Sequence, residues 1–351
     1  MQEKERNYGI DLLKIVLMYM ICILHTLKKG GILDACTAGT WQYKVFWLLE
    51  VFAFCAVDGF ALISGYIASE KPGKFEKLVE MWFQVFFYSF IITMIFTIIG
   101  INKNWQIIDI IKCILPVTFG KFWYFTAFFG LFFAIPVINK FLFSIDETIA
   151  KKSLIIIIIL FSILGTLGDP FKLNNGYSTI WLIVLYCIGV LIKKIKLFET
   201  KKSITLILLW ILCILSTWGI YVFLGNSKLI NYISPTILFS AMIMVILFSR
   251  LKIKTTIISK IVPFVFGIYL FQVNQVVWNN IIKNAFGFVA NKSILIGTSY
   301  VLGLAFIIFA TGMIIEFIRN KIARIIKIPS LSKKIALIMD KIIEKFYIIL
   351  K

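Results

Sequence analysis

Residues 8–27 read YGIDLLKIVLMYMICILHTL, and this stretch decides the fold. About 20 apolar residues at ~1.5 Å rise each cross the ~30 Å hydrocarbon core of a bilayer. Yet the run carries Asp11 and Lys14 near one end and His25, the chain's single histidine, near the other. Eleven positions separate Lys14 from His25. At about 100° per residue the two fall within about 20° of one helix face, some ~16 Å apart along the axis. Met18 and Cys22 lie between them on that face, and Asp11 sits a turn below Lys14. Ionisable groups inside a span are expensive and normally face a bundle interior or a watery cavity. Interfacial anchoring is the plainer reading for Asp11 and Lys14, because long side chains snorkel. For His25 aligned with Lys14 a functional role is expected.

Composition places the rest of the chain in the same solvent. Sixty per cent of the 351 residues are hydrophobic and only 15% are charged, with a mean hydropathy of +0.95. A soluble domain of this size cannot hide so many apolar side chains. The fold expected is all-α: a polytopic transmembrane helical bundle of about ten spans. Apolar runs fall near 10–27, 45–68, 79–101, 122–143, 153–168, 178–192, 203–224, 233–249, 257–282 and 293–316. The net charge of +20 does not signal nucleic acid. The lysines sit in short loops, and most of the 37 Lys and Arg fall on the side that holds both termini, which is thereby expected to be cytoplasmic. A lipid bilayer is the first partner implied. Four of the six cysteines lie in spans, whereas Cys36 and Cys113 fall in loops, where a bridge between them stays open. One histidine and no CxxC pair speak against the common zinc arrangements, so no metal is expected.

The second span, VFWLLEVFAFCAVDGFALISGYIA, holds Glu50 and Asp58. Counted from its outer end, Glu50 comes near the depth of His25 and Asp58 lies deeper, towards Lys14. A carboxylate beside an imidazole fixes its tautomer and supports proton abstraction. One beside a lysine makes both charges less costly in hydrocarbon.

These residues resemble a known family. The segment VDGFALISGY and the spacing Lys14-x10-His25 resemble motifs of the acyltransferase-3 family of integral-membrane O-acyltransferases, of the type that modifies surface polysaccharides. FWYFTAFFGLFFAIPVINKFL (122–142), FGIYLFQVNQ (266–275) and DPFKLNNGYS (169–178) resemble further family segments. The resemblance implies transfer of an acetyl or similar short acyl group from cytoplasmic acyl-CoA to a hydroxyl of a cell-surface or lipid-linked glycan. It implies a multi-pass protein of a bacterial cell membrane, with acetyl-CoA as a donor substrate and no tightly bound cofactor. The chain departs from the family in two places. Lys71, Lys74 and Lys77 stand where arginines are common, and lysine is the poorer bidentate phosphate clamp. The family's second histidine is replaced in Tyr269-Leu270-Phe271-Gln272.

Under this reading His25 is the general base and Glu50 orients it. Lys14, with Asp58 beside it and with Lys74 and Lys77 as alternatives, meets the donor phosphates. Acceptor contacts are sought in Trp123 and Tyr124, whose aromatic faces suit sugar rings as well as an interfacial belt. They are sought also in the polar loop with Asn174, Asn175 and Tyr177, where turn chemistry is the plainer account. Gln272 and Asn274 belong to an unusually polar ninth span, and buried amides need partners. A covalent acyl-enzyme on Ser64 stays open. The family-like region is set at 1–318, and 319–351 is read as a basic amphipathic tail on the inner leaflet, with Lys333, Lys334 and Lys341 against Ile335, Ile338 and Ile342. The rival class is a transporter or flippase of glycan or lipid intermediates, for which polar residues in spans serve equally well.

Overall fold

Asn7 starts the first helix: its side-chain oxygen accepts the Ile10 amide, and α1 runs Tyr8–Leu24. The computed structural model describes residues 6–70, 74–102 and 106–349, with the side chains of 344–349 left aside. Lys71 therefore lies outside the described residues. At its far end α1 widens into a π turn, His25–Lys29. The Thr26 hydroxyl donates to the Cys22 carbonyl at 2.8 Å, and the Gly30 amide reaches back five residues to the His25 carbonyl. Such a widened turn re-aims side chains and recurs at functional sites.

Nine further long helices stand among the described residues of the family-like region: α2 Trp41–Tyr66, α3 Phe75–Ile98, α4 Trp123–Ser144, α5 Glu147–Gly168, α6 Thr179–Lys194, α7 Ser203–Leu224, α8 Pro235–Ser249, α9 Thr256–Val273 and α10 Ile294–Ile325. Among the described residues, eight helices are long and apolar enough to cross a membrane. α6 and α8 are shorter and stand where the sequence pattern placed its sixth and eighth runs. The all-α transmembrane bundle is thus the observed fold. Loops gather at two ends. At one, the Tyr232 amide bonds the Asn175 carbonyl, and the amides of Asn284 and Phe286 bond the carbonyls of Lys29 and Gly30. At the other, the Asn7 amide donates to the Ser249 carbonyl and Lys194 to the Leu142 and Phe143 carbonyls.

α1 lies at the centre, packed against α2, α8, α9 and α10. Leu13 and Leu17 are fully buried. In lipid the hydrophobic effect does not drive helices together, because tails are as apolar as leucine; close packing and internal hydrogen bonds do. α2 packs closely on α6. A Cβ at Gly65 would strike the Tyr186 carbonyl, and one at Gly189 the Leu62 carbonyl. With backbones that close, the buried Trp181 indole donates to Asp58 at 3.0 Å. By contrast α7 exposes Leu208, Leu212 and Leu215 and α5 exposes Ile155, Ile156 and Ile159, as lipid-facing helices should.

One expectation is corrected, and one open question is closed. The apolar run 257–282 is not one helix: α9 ends at Val273, and Asn274 turns extended, with ψ 129°. All six cysteines are free, and Cys113 instead accepts from Lys121 at 3.4 Å. α10 continues to Ile325, Lys327 adopts φ 59°, and α11 spans Ile328–Ile349 and packs on α3.

Candidate active site

A cavity of about 780 Å³ opens between the loops at the His25 end of α1. Its walls come from α1, α2, α4, α9 and the segment after α9, joined by Tyr177 and Tyr232 from two loops. His25 lines it. The imidazole Nδ1 lies 2.9 Å from Gln272 Oε1, and the Trp278 ring stands edge-to-face against it at 4.6 Å. Gln272 is fully buried, and its amide nitrogen faces Met18 Sδ at 3.5 Å. A carboxamide oxygen only accepts, so this bond requires the proton on Nδ1 and leaves Nε2 with its lone pair.

Glu50 also lines the cavity and is buried at 4% exposure. The expected His25–Glu50 bond is absent among the described residues: Gln272 holds the imidazole, and Glu50 Oε2 has no hydrogen-bond partner there. Equal depth on neighbouring helices did not mean equal azimuth. Asp58 is likewise not beside Lys14. It is fully buried against Trp181, outside the cavity. Lys14 bonds Asp11 at 3.0 Å, as Arg6 does at 2.6 Å, and does not line the cavity. Lys74 and Lys77 stand exposed at the start of α3, at the end of the bundle away from the mouth.

The aromatic wall is built from distant parts of the chain. Trp123 meets Tyr177 at 4.6 Å and Tyr232 at 6.5 Å, and Tyr124 meets Tyr269 at 6.2 Å. Burial holds the Tyr232 hydroxyl well above the ordinary phenol range, with the neighbouring Tyr177 adding to it. Tyr232 serves there as a neutral hydroxyl. Asn174 and Asn175 are exposed and do not line the cavity; both have positive φ, and Asp169 clamps the loop by accepting the Leu173 and Asn174 amides. Asn274 is a structural cap. Its oxygen accepts the Val276 and Val277 amides and its nitrogen donates to the Tyr88 carbonyl and Thr93.

Sequence reasoning missed Tyr232, Tyr269, Trp278 and Trp47, which all line the cavity. For Tyr232 no periodic signal existed, since it sits in an irregular loop. A second hollow of about 160 Å³ lies between Ser64, Met81, Phe125 and Phe128 and shares Phe60, Tyr124 and Phe266 with the main cavity. The Ser64 hydroxyl donates to the Phe60 carbonyl at 3.0 Å.

Compared with known proteins, the chain matches a family model described as an acyltransferase domain over residues 7–317. No curated protein and no solved structure gives a match.

Proposed function

From the premise that the chain belongs to the acyltransferase-3 family and is a membrane acyltransferase, we propose that it moves an acetyl or similar short acyl group from cytoplasmic acyl-CoA to a glycan hydroxyl at the cell surface. The observation that carries this is His25, held by Gln272 in the wall of an aromatic-lined cavity. Stacked and tilted rings of Trp123, Tyr177 and Tyr232 suit the faces of a pyranose. His25 Nε2 takes the proton of the acceptor hydroxyl as its oxygen adds to the thioester carbonyl. The tetrahedral intermediate then collapses, the C–S bond breaks, and the imidazolium returns the proton to the departing thiolate. An ester and free CoA result.

The donor arrives from the opposite face, where both termini lie in the cytoplasm. The smaller hollow behind Phe60, Tyr124 and Phe266 favours a thioester arm threading towards His25 between those rings. Lys14 is proposed to meet the CoA phosphates. Asp11 has Arg6 as a second cation, so Lys14 can leave it for a phosphate without abandoning a buried carboxylate. Lys74 and Lys77 offer charge at the same end. The test uses the full chain in sealed vesicles, with labelled acetyl-CoA on one side and a glycan acceptor on the other. Label on the glycan hydroxyl supports the reading. An unmodified glycan that has itself crossed the bilayer would establish the transporter instead.

A further inference from the structure

The cavity mouth carries a charge pattern that acyl transfer to a neutral sugar does not require. Lys28, Lys29 and Lys121 line it, with Asp34 and, within the wall, Glu50. Lys28 and Asp34 neutralise each other at 2.8 Å. Lys29 and Lys121 have no carboxylate partner among the described residues. The Lys29 ammonium sits 5.2 Å from the centre of the Trp278 ring. Lys121 donates to the neutral acceptors Gln275 Oε1, at 3.3 Å, and Cys113.

The surroundings leave these two lysines available. Lys172, Lys228, Lys283 and Lys292 stand exposed on the loops of the same end. The acids on those loops are engaged, Asp109 by Lys112 and Asp169 by two backbone amides, and Glu50 lies buried in the wall below. A cleft rimmed by one sign of charge above low-dielectric walls concentrates the opposite sign. If this end faces outward, the positive-inside rule should deplete it of lysine. Lysines kept at the lip of the cavity therefore call for a reason that topology does not supply.

Their position is equally specific. The Trp278 ring touches His25 on one side and Lys29 on another, and contacts of 4.6 and 5.2 Å in series bring the ammonium within about 10 Å of the imidazole. That is the reach of one or two sugar units. The segment that carries Trp278 is tied to the end of α1, where the Asn284 and Phe286 amides bond the Lys29 and Gly30 carbonyls, so Lys29 and His25 keep their spacing.

We propose that the mouth is an anion subsite: Lys29 and Lys121 bind a phosphate or carboxylate carried by the acceptor glycan, on the acylated sugar or the unit beside it. This rests on the acyltransferase reading for the word acceptor, but the site itself is testable without turnover. The full chain is placed in discs of zwitterionic lipid, and tryptophan fluorescence, to which Trp278 and Trp123 contribute, is followed on adding glycerol phosphate or glucuronate. Glycerol and methyl glucoside are the neutral counterparts. The anions are expected to bind and the neutral compounds not, with binding weakening as salt rises. Lys29→Gln and Lys121→Gln should each weaken anion binding about tenfold, the size of one charge-assisted contact. Arginine at either position should keep it, which separates lost charge from lost folding.

CoA is the other phosphate source, and the two are told apart directly. If the glutamine variants lose CoA and keep glycerol phosphate, the mouth is a donor site and the proposal is overturned. Equal binding of anionic and neutral compounds, or unchanged binding in both variants, overturns it too. Transfer of label to a neutral glycan as fast as to its anionic analogue would remove the acceptor role while leaving the enzyme reading intact. Selective, lysine-dependent anion binding without any acyl transfer would uphold the subsite and sink the enzyme reading.

Discussion

The two ends of the bundle hold the same kinds of ionisable residue in opposite states. At the Asn7 end, Asp11 accepts from Arg6 and Lys14. The fully buried Glu316 takes three bonds from the Arg319 guanidinium on its two oxygens, at 2.6 to 3.0 Å, and a fourth from the Tyr88 hydroxyl at 2.9 Å. Gly267, lacking a Cβ, makes room for the Glu316 side chain. At the His25 end, among the described residues, Glu50 keeps an oxygen without a partner, His25 hydrogen-bonds a neutral amide, and Lys29 and Lys121 face no carboxylate. Buried charge that is fully paired holds helices in register, and buried charge left short of partners marks where something else must bind.

Substitutions at the two ends should therefore fail in different ways. His25→Gln should lower acyl transfer by about 10²–10⁴, the usual value of general acid–base assistance, with an unchanged thermal midpoint. A folded His25→Gln protein that transfers at the normal rate would erase the contrast between the ends. Glu316→Ala should do the reverse. It strands Arg319, and breaking a buried pair typically costs about 3–5 kcal/mol, so the detergent-solubilised midpoint should drop sharply while turnover per folded molecule stays near normal.

Gln272→Ala removes the acceptor that fixes the imidazole tautomer. Losing one buried neutral hydrogen bond is worth about 1–2 kcal/mol, so a fall of about tenfold in kcat is expected, together with an altered pH profile. Gln272→His, which restores a ring nitrogen at that place, should recover most of the rate; no recovery would reduce Gln272 to a packing residue. Glu50→Gln should lower transfer a few-fold and leave the midpoint unchanged or higher, because an under-partnered carboxylate becomes a neutral amide. A large loss of stability would show that Glu50 has a hidden structural partner. The smallest effect is expected at the exposed Asn174. Alanine is less at ease than asparagine at its φ of 54°, which costs about 1 kcal/mol of loop stability, and acyl transfer should change less than twofold.

Much of this bundle was legible in the chain. Apolar runs gave the helices because a bilayer dictates their length. What the chain concealed was lateral. The partner of His25 is 247 positions away, and no periodicity reveals which faces of α1 and the interrupted α9 meet. The depth count put Glu50 level with His25 and Asp58 near Lys14, but depth along a span says nothing about rotation around it. Asn274 looked like a polar substrate contact because a helix propensity does not foresee that an amide will cap a break in its own span. Tyr232 was invisible because loop residues carry no period at all.

The shortness of α6 has a mechanical consequence. Its 16 residues measure about 24 Å along the axis, less than a typical ~30 Å hydrocarbon core, and α2, α4 and α5 pack around it. The outer helices, such as α5 and α7, present exposed apolar side chains, while α6 is largely enclosed. Stretching or thinning the bilayer with longer or shorter lipid tails should tilt those outer helices and leave the glycine contact between α2 and α6 at its spacing. The cavity wall that α2 supplies would then keep its place in membranes of different thickness, a form of mechanical isolation built on a short, enclosed helix.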